Sequence, residues 1–222
     1  MRLKTRLLMA EFVTHDVKRF ILHKPKGLRW IPGQGTLVAI NAPGLADEVH
    51  PFTPTSLNRD HALEYTIKQY PCRHGLTEKL HQLAPGAELL IKAVFGDIRF
   101  KGPGTFIAAG AGITPFLAIF RQLRSEGRLA GNSLIFANKT WADIIHEREL
   151  RDVFGERCLF VLTRERRPGY LYGRINRALL KKHVRNLRGH FYVCGPPQFI
   201  MDVRQALIDL GTKPERIVLD EP

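Results

Sequence analysis

From residue 102 onward, continuous apolar runs alternate with amphipathic ones, and this alternation narrows the fold more than any other feature of the chain. TFIAAG, SLIFAN, CLFVLT, HFYVCG and RIVLD read as strands. Between them, PFLAIFRQLRSEG, DIIHERELRDVF, INRALLKKHV and PQFIMDVRQALIDLG place their apolar residues at helical spacing. A strand without polar alternation is apolar on both faces and has to be covered on both. That is the situation of a parallel sheet flanked by helices. Five such strands make a complete doubly wound α/β domain of the nucleotide-binding type.

The preceding residues have another texture. Leu3 to Val13 and Lys18 to His23 are strand-like and are parted by the turn-prone Thr14-His15-Asp16. Pro32-Gly33-Gln34-Gly35 breaks the chain before TLVAIN, and LEYTIKQY and ELLIKAVFGDIRF continue the β pattern. Short strands with Gly and Pro punctuation predict a small antiparallel barrel. One short helix fits at Leu76 to Leu83, ahead of the turn Pro85-Gly86. A chain of 222 residues accommodates two compact domains of about 100 residues each. Their join is expected at Lys101-Gly102-Pro103-Gly104, giving a β domain over 1–101 and an α/β domain over 102–222.

Cys72, Cys158 and Cys194 are scattered and odd in number, which argues against a disulfide framework and suits a reducing cytoplasm. They also exclude an internal plant-type iron–sulfur cluster, which needs four patterned cysteines. No apolar run approaches the ~20 residues of a membrane span. MRLKTRLLMAEFVTHD lacks the uninterrupted apolar core of a signal peptide, so a cytoplasmic location is expected. The formal net charge of +13 suits an acidic protein partner, an anionic membrane, nucleic acid or simple solubility. No nucleic-acid-binding motif and no long Lys/Arg block accompanies the charge, so nucleic acid is not an expected partner.

Three short stretches carry chemistry. In TFIAAGAGITPFLAIF the chain leaves a buried strand through Gly110 and Gly112 and enters a helix on Thr114-Pro115. Glycines permit positive φ and close approach of the main chain, and Pro suits a first helical turn. The unpaired N–H groups at such a helix start attract an anion, typically a pyrophosphate. The same residues also make an ordinary Gly-rich turn. YVCGPPQF ends a later strand on the same edge of the sheet, with Cys194 before Gly195 and Pro196. A cysteine there is equally a small apolar residue. In HPFTPTS, Phe52 offers a ring for a flat ligand and Thr53 a hydrogen bond to its edge. By itself this segment is also a Pro-rich edge strand.

In combination and in order, these stretches resemble the ferredoxin–NADP(+) reductase superfamily over nearly the whole chain. HPFTP is similar to the family's flavin motif in its RPYTP form, HGLT to the loop that opens a short helix, GAGITP to its G-x-G-I-x-P and YVCGPP to its C-G-P-P. The resemblance implies an FAD-binding barrel followed by a nicotinamide-nucleotide domain, with no metal site. It implies that His50, Pro51, Phe52 and Thr53 meet the flavin, Phe52 packing on the isoalloxazine and Thr53 near N5. Thr66, Ile67 and Lys68 would lie along the ribityl chain, and His74, Gly75, Leu76 and Thr77 at the flavin phosphates. Gly110, Gly112, Thr114 and Pro115 would meet the nucleotide, while Cys194, Gly195 and Pro196 would line the nicotinamide pocket. Hydride transfer then requires reacting atoms at roughly 3–3.5 Å. Thr53, Cys194 and Glu221 are the catalytic residues that the family pattern implies.

Two departures from that pattern stand out. His50 occupies the place of an arginine on the flavin pyrophosphate and is a weaker phosphate ligand, with Arg59 or Lys68 as candidate substitutes. The chain ends Leu219-Asp220-Glu221-Pro222 without an aromatic to cover the flavin, leaving Glu221 in the acidic role. Thr163-Arg164 ends the third parallel strand where NADP-using members often carry Ser/Thr-Arg, and Lys139 and Arg174 add charge. NADPH is therefore the expected donor, with NADH the alternative. The basic charge favours an acidic one-electron carrier, a ferredoxin or flavodoxin, as partner. The alternatives are a reductase of ferric chelates, flavins or quinones, and a flavin-binding electron-transfer subunit without nicotinamide turnover.

Overall fold

The β-rich runs of the first half form β1 (Leu3–Thr14), β2 (Val17–His23), β3 (Gly35–Ile40), β4 (His50–Phe52), β5 (Ala62–Lys68) and β6 (Glu88–Phe95). The computed structural model describes residues 2–70 and 75–219. The strands pair in the order β4-β3-β6-β1-β2-β5, every pair antiparallel. The segment just past β4 closes the sheet. Pro54 bridges Tyr65, and the Thr55 N–H donates to the Glu64 carbonyl at 2.8 Å, so the last strand meets the first and a barrel results. Period-two alternation turns Leu63, Tyr65 and Ile67 of β5 inward, onto Leu7, Phe20, Leu22 and Ile91. The short helix α1 (Leu76–His81) buries Leu76 and Leu80 in this core. It stops before the expected Leu83, where the His81 carbonyl is taken by Lys18 Nζ at 2.7 Å. The run ELLIKAVFGDIRF is likewise not one strand: Gly96, at φ 96°, ends β6 after Phe95.

The second half builds β7 (Gly104–Ala109), β8 (Ser133–Asn138), β9 (Cys158–Leu162), β10 (Leu171–Tyr172), β11 (His190–Cys194) and β12 (Ile217–Leu219). They form a parallel sheet in the order β10-β9-β8-β7-β11-β12. The five expected strands are present, and β10 is a sixth. With two residues it has no periodicity to read. Helices α2 (Thr114–Ser125) and α3 (Glu147–Phe154) pack on Phe106, Phe136 and Phe160. On the opposite face, α4 (Arg177–His183) and α5 (Pro197–Asp209) pack on Ile107, Ile135 and Val193. The helix expected over DIIHERELRDVF starts later than its spacing implies. Ile144 is extended and His146 adopts φ 53°, so α3 begins only at Glu147.

Apolar contact joins the halves. Val17 and Ile98 belong to the same buried cluster as the inner faces of α2 and α3. At the crossing, the Tyr192 hydroxyl accepts the N–H groups of Lys101 at 2.8 Å and Gly102 at 3.0 Å. It donates to the Gly102 carbonyl at 2.7 Å.

Candidate active site

Strand order reverses between β7 and β11, because the chain runs outward through β8, β9 and β10 and then returns to the other side of β7. Such a switch point opens a crevice beyond the carboxyl ends of the two strands. GAGITP leaves β7 there and CGPP leaves β11, so the two stretches are direct neighbours.

The glycines of the first turn act for different reasons. Gly110 sits at φ 53° with open space around it, a conformation that a side chain disfavours. Gly112 has ordinary φ, but a Cβ there would overlap the Cys194 carbonyl and lie 2.6 Å from the Gly195 nitrogen. A Cβ on Gly195 would in turn lie 2.7 Å from the Phe199 ring. The two loops therefore pack main chain against main chain. Thr114 Oγ1 donates to the Ala111 carbonyl at 3.0 Å and holds the turn, and Pro115 lies in the first turn of α2.

A cleft of about 980 Å³ separates this surface from the barrel. Pro51, Phe52 and Thr53 form part of the barrel wall, with Thr66, Ile67, Lys68 and Thr77. The other wall carries Gly110, Gly112, Thr114 and Pro115, then Cys194, Gly195 and Pro196, with Thr163 farther along. Lys139 and Arg174 also line it. Lys68 Nζ lies 2.5 Å from Asp16 Oδ2. Asp143, on the same wall, is disfavoured as an anion by burial. Hydrogen bonds from Thr140 and the nearby charges of Lys68 and His15 nevertheless hold it below the usual carboxylate range.

Other expected positions lie off this wall. His50 pairs with Val38 in the sheet and points its Nε2 toward Glu48 Oε1 at 3.8 Å. Glu48 also accepts from Lys79 Nζ at 2.9 Å. Leu76 is consumed by the barrel core, and the Gly75 carbonyl accepts the Glu78 N–H at the start of α1. Arg59 is exposed. Arg164 is exposed beside Thr163, its N–H donating to the Lys139 carbonyl at 2.8 Å. His74 and Glu221 lie outside the described residues.

Phe95 and Asn138 are among the wall residues that escaped the sequence reading. Phe95, 40% exposed, covers Gly35, where a Cβ would lie 3.1 Å from its ring. Asn138 ends β8 with its amide nitrogen and oxygen both buried and without a hydrogen-bond partner among the described residues. The polar end of SLIFAN was the only available hint of the second. The wall thus offers aromatic faces at Phe52 and Phe95, a main-chain cradle at Gly112, three cations and an unpartnered buried amide. These are groups that fit a flavin and a nicotinamide nucleotide.

Comparison with known proteins agrees with this geometry. A family model described as an FAD-binding domain matches residues 2–94, and one described as an oxidoreductase NAD-binding domain matches residues 106–205. The reductase component of a naphthalene 1,2-dioxygenase/salicylate 5-hydroxylase system from Ralstonia, a ferredoxin–NAD(P)(+) reductase, is 26% identical over 93% of the chain, which spans 65% of that protein. NADH-cytochrome b5 reductase 1 of Coccidioides immitis is 29% identical over 93% of the chain and 74% of its own length. The fold superposes on the flavohem-like FAD/NAD-binding domain of Vibrio cholerae nitric oxide dioxygenase with a TM-score of 0.88 at 20% identity, covering 98% of this chain and 97% of that one. It also superposes on a Neisseria gonorrhoeae ferredoxin NADP+ reductase with bound FAD and NADP, with a TM-score of 0.83 at 21% identity, covering 99% and 98%. With both domain models matched in order and the two nucleotide loops meeting at the switch point, the chain belongs to the ferredoxin–NADP(+) reductase superfamily as a flavin-dependent NAD(P)H oxidoreductase.

Proposed function

We propose that residues 1–101 hold FAD, that residues 102–222 hold the nicotinamide nucleotide, and that electrons pass from NADPH to a separate one-electron carrier with an acidic surface, a ferredoxin or flavodoxin. Bound FAD supplies the ability to accept a hydride and to release its electrons singly. The chain supplies position. Phe52 packs on the ring, Thr53 hydrogen-bonds its edge, and Thr66, Ile67 and Lys68 follow the ribityl chain. His50, Pro51, His74, Gly75 and Thr77 would support the phosphate end, with Lys68 adding charge, and Leu76, buried in the barrel core, could contribute only its main chain. Gly110, Gly112, Thr114 and Pro115 take the nucleotide pyrophosphate at the start of α2. Cys194, Gly195 and Pro196 would wall the nicotinamide, with Glu221 in the acidic role that the family pattern implies. Thr163 and Arg164, with Lys139 and Arg174, meet a 2′-phosphate.

The observation that carries this reading is the main-chain contact of Gly112 with Cys194 and Gly195, across the cleft from Phe52 and Thr53. It favours a nucleotide held against the barrel face. The test is the visible spectrum of the purified protein before and after anaerobic NADPH. A flavin spectrum that bleaches promptly, with FAD recovered after heat release, is the expected result. FMN alone would overturn the assignment, and a flavin that neither nucleotide bleaches would mean an electron-transfer module without turnover.

A second reading takes NADH as donor and a cytochrome b5-type carrier as acceptor. It draws on the relatives named NADH-cytochrome b5 reductases and on the exposure of Arg164 off the cleft wall. A higher kcat/KM with NADH than with NADPH would favour it.

A further inference from the structure

One guanidinium spans the two halves of the molecule. Arg121 lies two turns along α2 from the helix start at the glycine turn. Its Nε and one terminal nitrogen donate to both carboxylate oxygens of Glu149 in α3, at 2.7 and 2.8 Å. Its other terminal nitrogen crosses to the barrel. There it donates to the Thr55 carbonyl at 2.8 Å and to Glu64 Oε1 at 2.6 Å. The barrel side is itself braced: Thr55 Oγ1 donates to the same Glu64 oxygen at 2.7 Å, and the Glu64 N–H donates to Ser56 Oγ at 2.9 Å. Beside this fork, His146, in its left-handed backbone conformation, brings Nε2 to 3.3 Å from Thr66 Oγ1.

The places touched matter more than the number of bonds. Thr55 follows closely on Pro51–Thr53, and Glu64 and Thr66 project from the same face of β5, outward from the barrel. Both segments form the barrel wall of the cleft, while the other end of α2 forms the nucleotide wall. Adhesion between the halves already comes from Val17 and Ile98. Desolvating one cation and two carboxylates adds little to stability compared with apolar packing, because the cost of burial offsets the attraction. What a bidentate fork adds is fixed direction.

We propose that Arg121 is a positioning residue for hydride transfer, holding the nucleotide turn at the head of α2 in register with the flavin-facing segments Pro51–Thr53 and Thr66–Lys68. The inference rests on the cofactor placement proposed above. Misplacement of reacting groups by about 1 Å costs on the order of 100-fold in rate. Loosening the fork therefore acts on the chemical step before it acts on binding.

The test uses the FAD-loaded protein, mixed anaerobically with the nucleotide that reduces the wild type faster. Arg121→Met removes the fork, Arg121→Lys keeps the charge without the fork, and Glu64→Gln weakens only the barrel side. The expected result is a limiting rate of flavin reduction lowered about tenfold or more in Arg121→Met, with the nucleotide dissociation constant unchanged within about twofold. The long-wavelength absorbance of the stacked nucleotide–flavin complex should weaken in parallel. Arg121→Lys should fall between wild type and Arg121→Met, and Glu64→Gln added to Arg121→Met should cause no further loss. If Arg121→Met does not fold, Arg121→Lys and Glu64→Gln decide the matter by the same measurements. Wild-type limiting rates in the folded variants, or losses confined to affinity, overturn the positioning role alone. A wild-type flavin that neither nucleotide reduces overturns the cofactor reading, and this inference with it.

Discussion

Arg164 stands exposed next to Thr163, which does reach the cleft wall. A guanidinium there is solvated until a phosphate arrives, so its contribution depends on the nucleotide offered. A charge-assisted contact of this kind is worth about 1.5–3 kcal/mol. Arg164→Ala is accordingly expected to lower kcat/KM with NADPH about ten- to a hundredfold and to leave NADH nearly unaffected. Parallel steady-state measurements with both nucleotides check this, and equal losses would assign the 2′-phosphate to Lys139 and Arg174 instead. Phe52, Thr53 and Cys194 were legible as candidates because each sits in a short motif whose residue types state a chemistry. Asn138 and Phe95 were not legible. An amide becomes conspicuous only when burial removes its partners, and an aromatic only when it lies over Gly35 at the cleft.

At the scale of elements, the strands and helices of the second half could be read closely, because apolar runs and helical spacing there are strong. SLIFAN matches β8 residue for residue. The errors fall where tertiary contact overrides pattern: Ile144 and Ile145 are buried ahead of the helix, the first extended and the second in a turn, so α3 starts late, and β10 exists only because β9 is beside it. GAGITP could be recognised as a turn, but the reason for its second glycine could not, since that reason is the backbone of another loop. This gives a discriminating pair of substitutions. Gly112→Ala must push the turn away from Cys194. It is expected to cost about 1–3 kcal/mol of stability, as overpacking does, and to weaken nucleotide binding at least about tenfold. Gly110→Ala meets open space and carries only the strain of positive φ, about 1–2 kcal/mol, with a smaller effect on affinity. Denaturant unfolding and nucleotide titration of both variants provide the measurement, and a Gly112→Ala protein with wild-type affinity would show that the loops do not cooperate in binding.

For the whole molecule, the two-domain order was legible from the change of texture, but the contact between domains was not: Arg121 lies far in sequence from Thr55 and Glu64, and no motif marks it as their partner. The net charge of +13 predicts electrostatic capture of an acidic carrier. The rate constant for carrier reduction, measured at limiting carrier, should fall steeply as salt shortens the Debye length from about 10 Å at 0.1 M to about 3 Å at 1 M. Reduction of a small neutral quinone should change far less. Slow, salt-insensitive carrier reduction beside fast turnover of quinones or ferric chelates would replace the protein partner with a small-molecule one. The seam between the halves bears on how such reactants come and go. Tyr192 rises from β11, next to the edge strand of the parallel sheet, and grips the main chain of Lys101 and Gly102 through one hydroxyl. Bending there would break several hydrogen bonds at once, each worth about 0.5–1.5 kcal/mol. The crossing is a stiff spar and a poor hinge, so traffic through the cleft has to use its mouth.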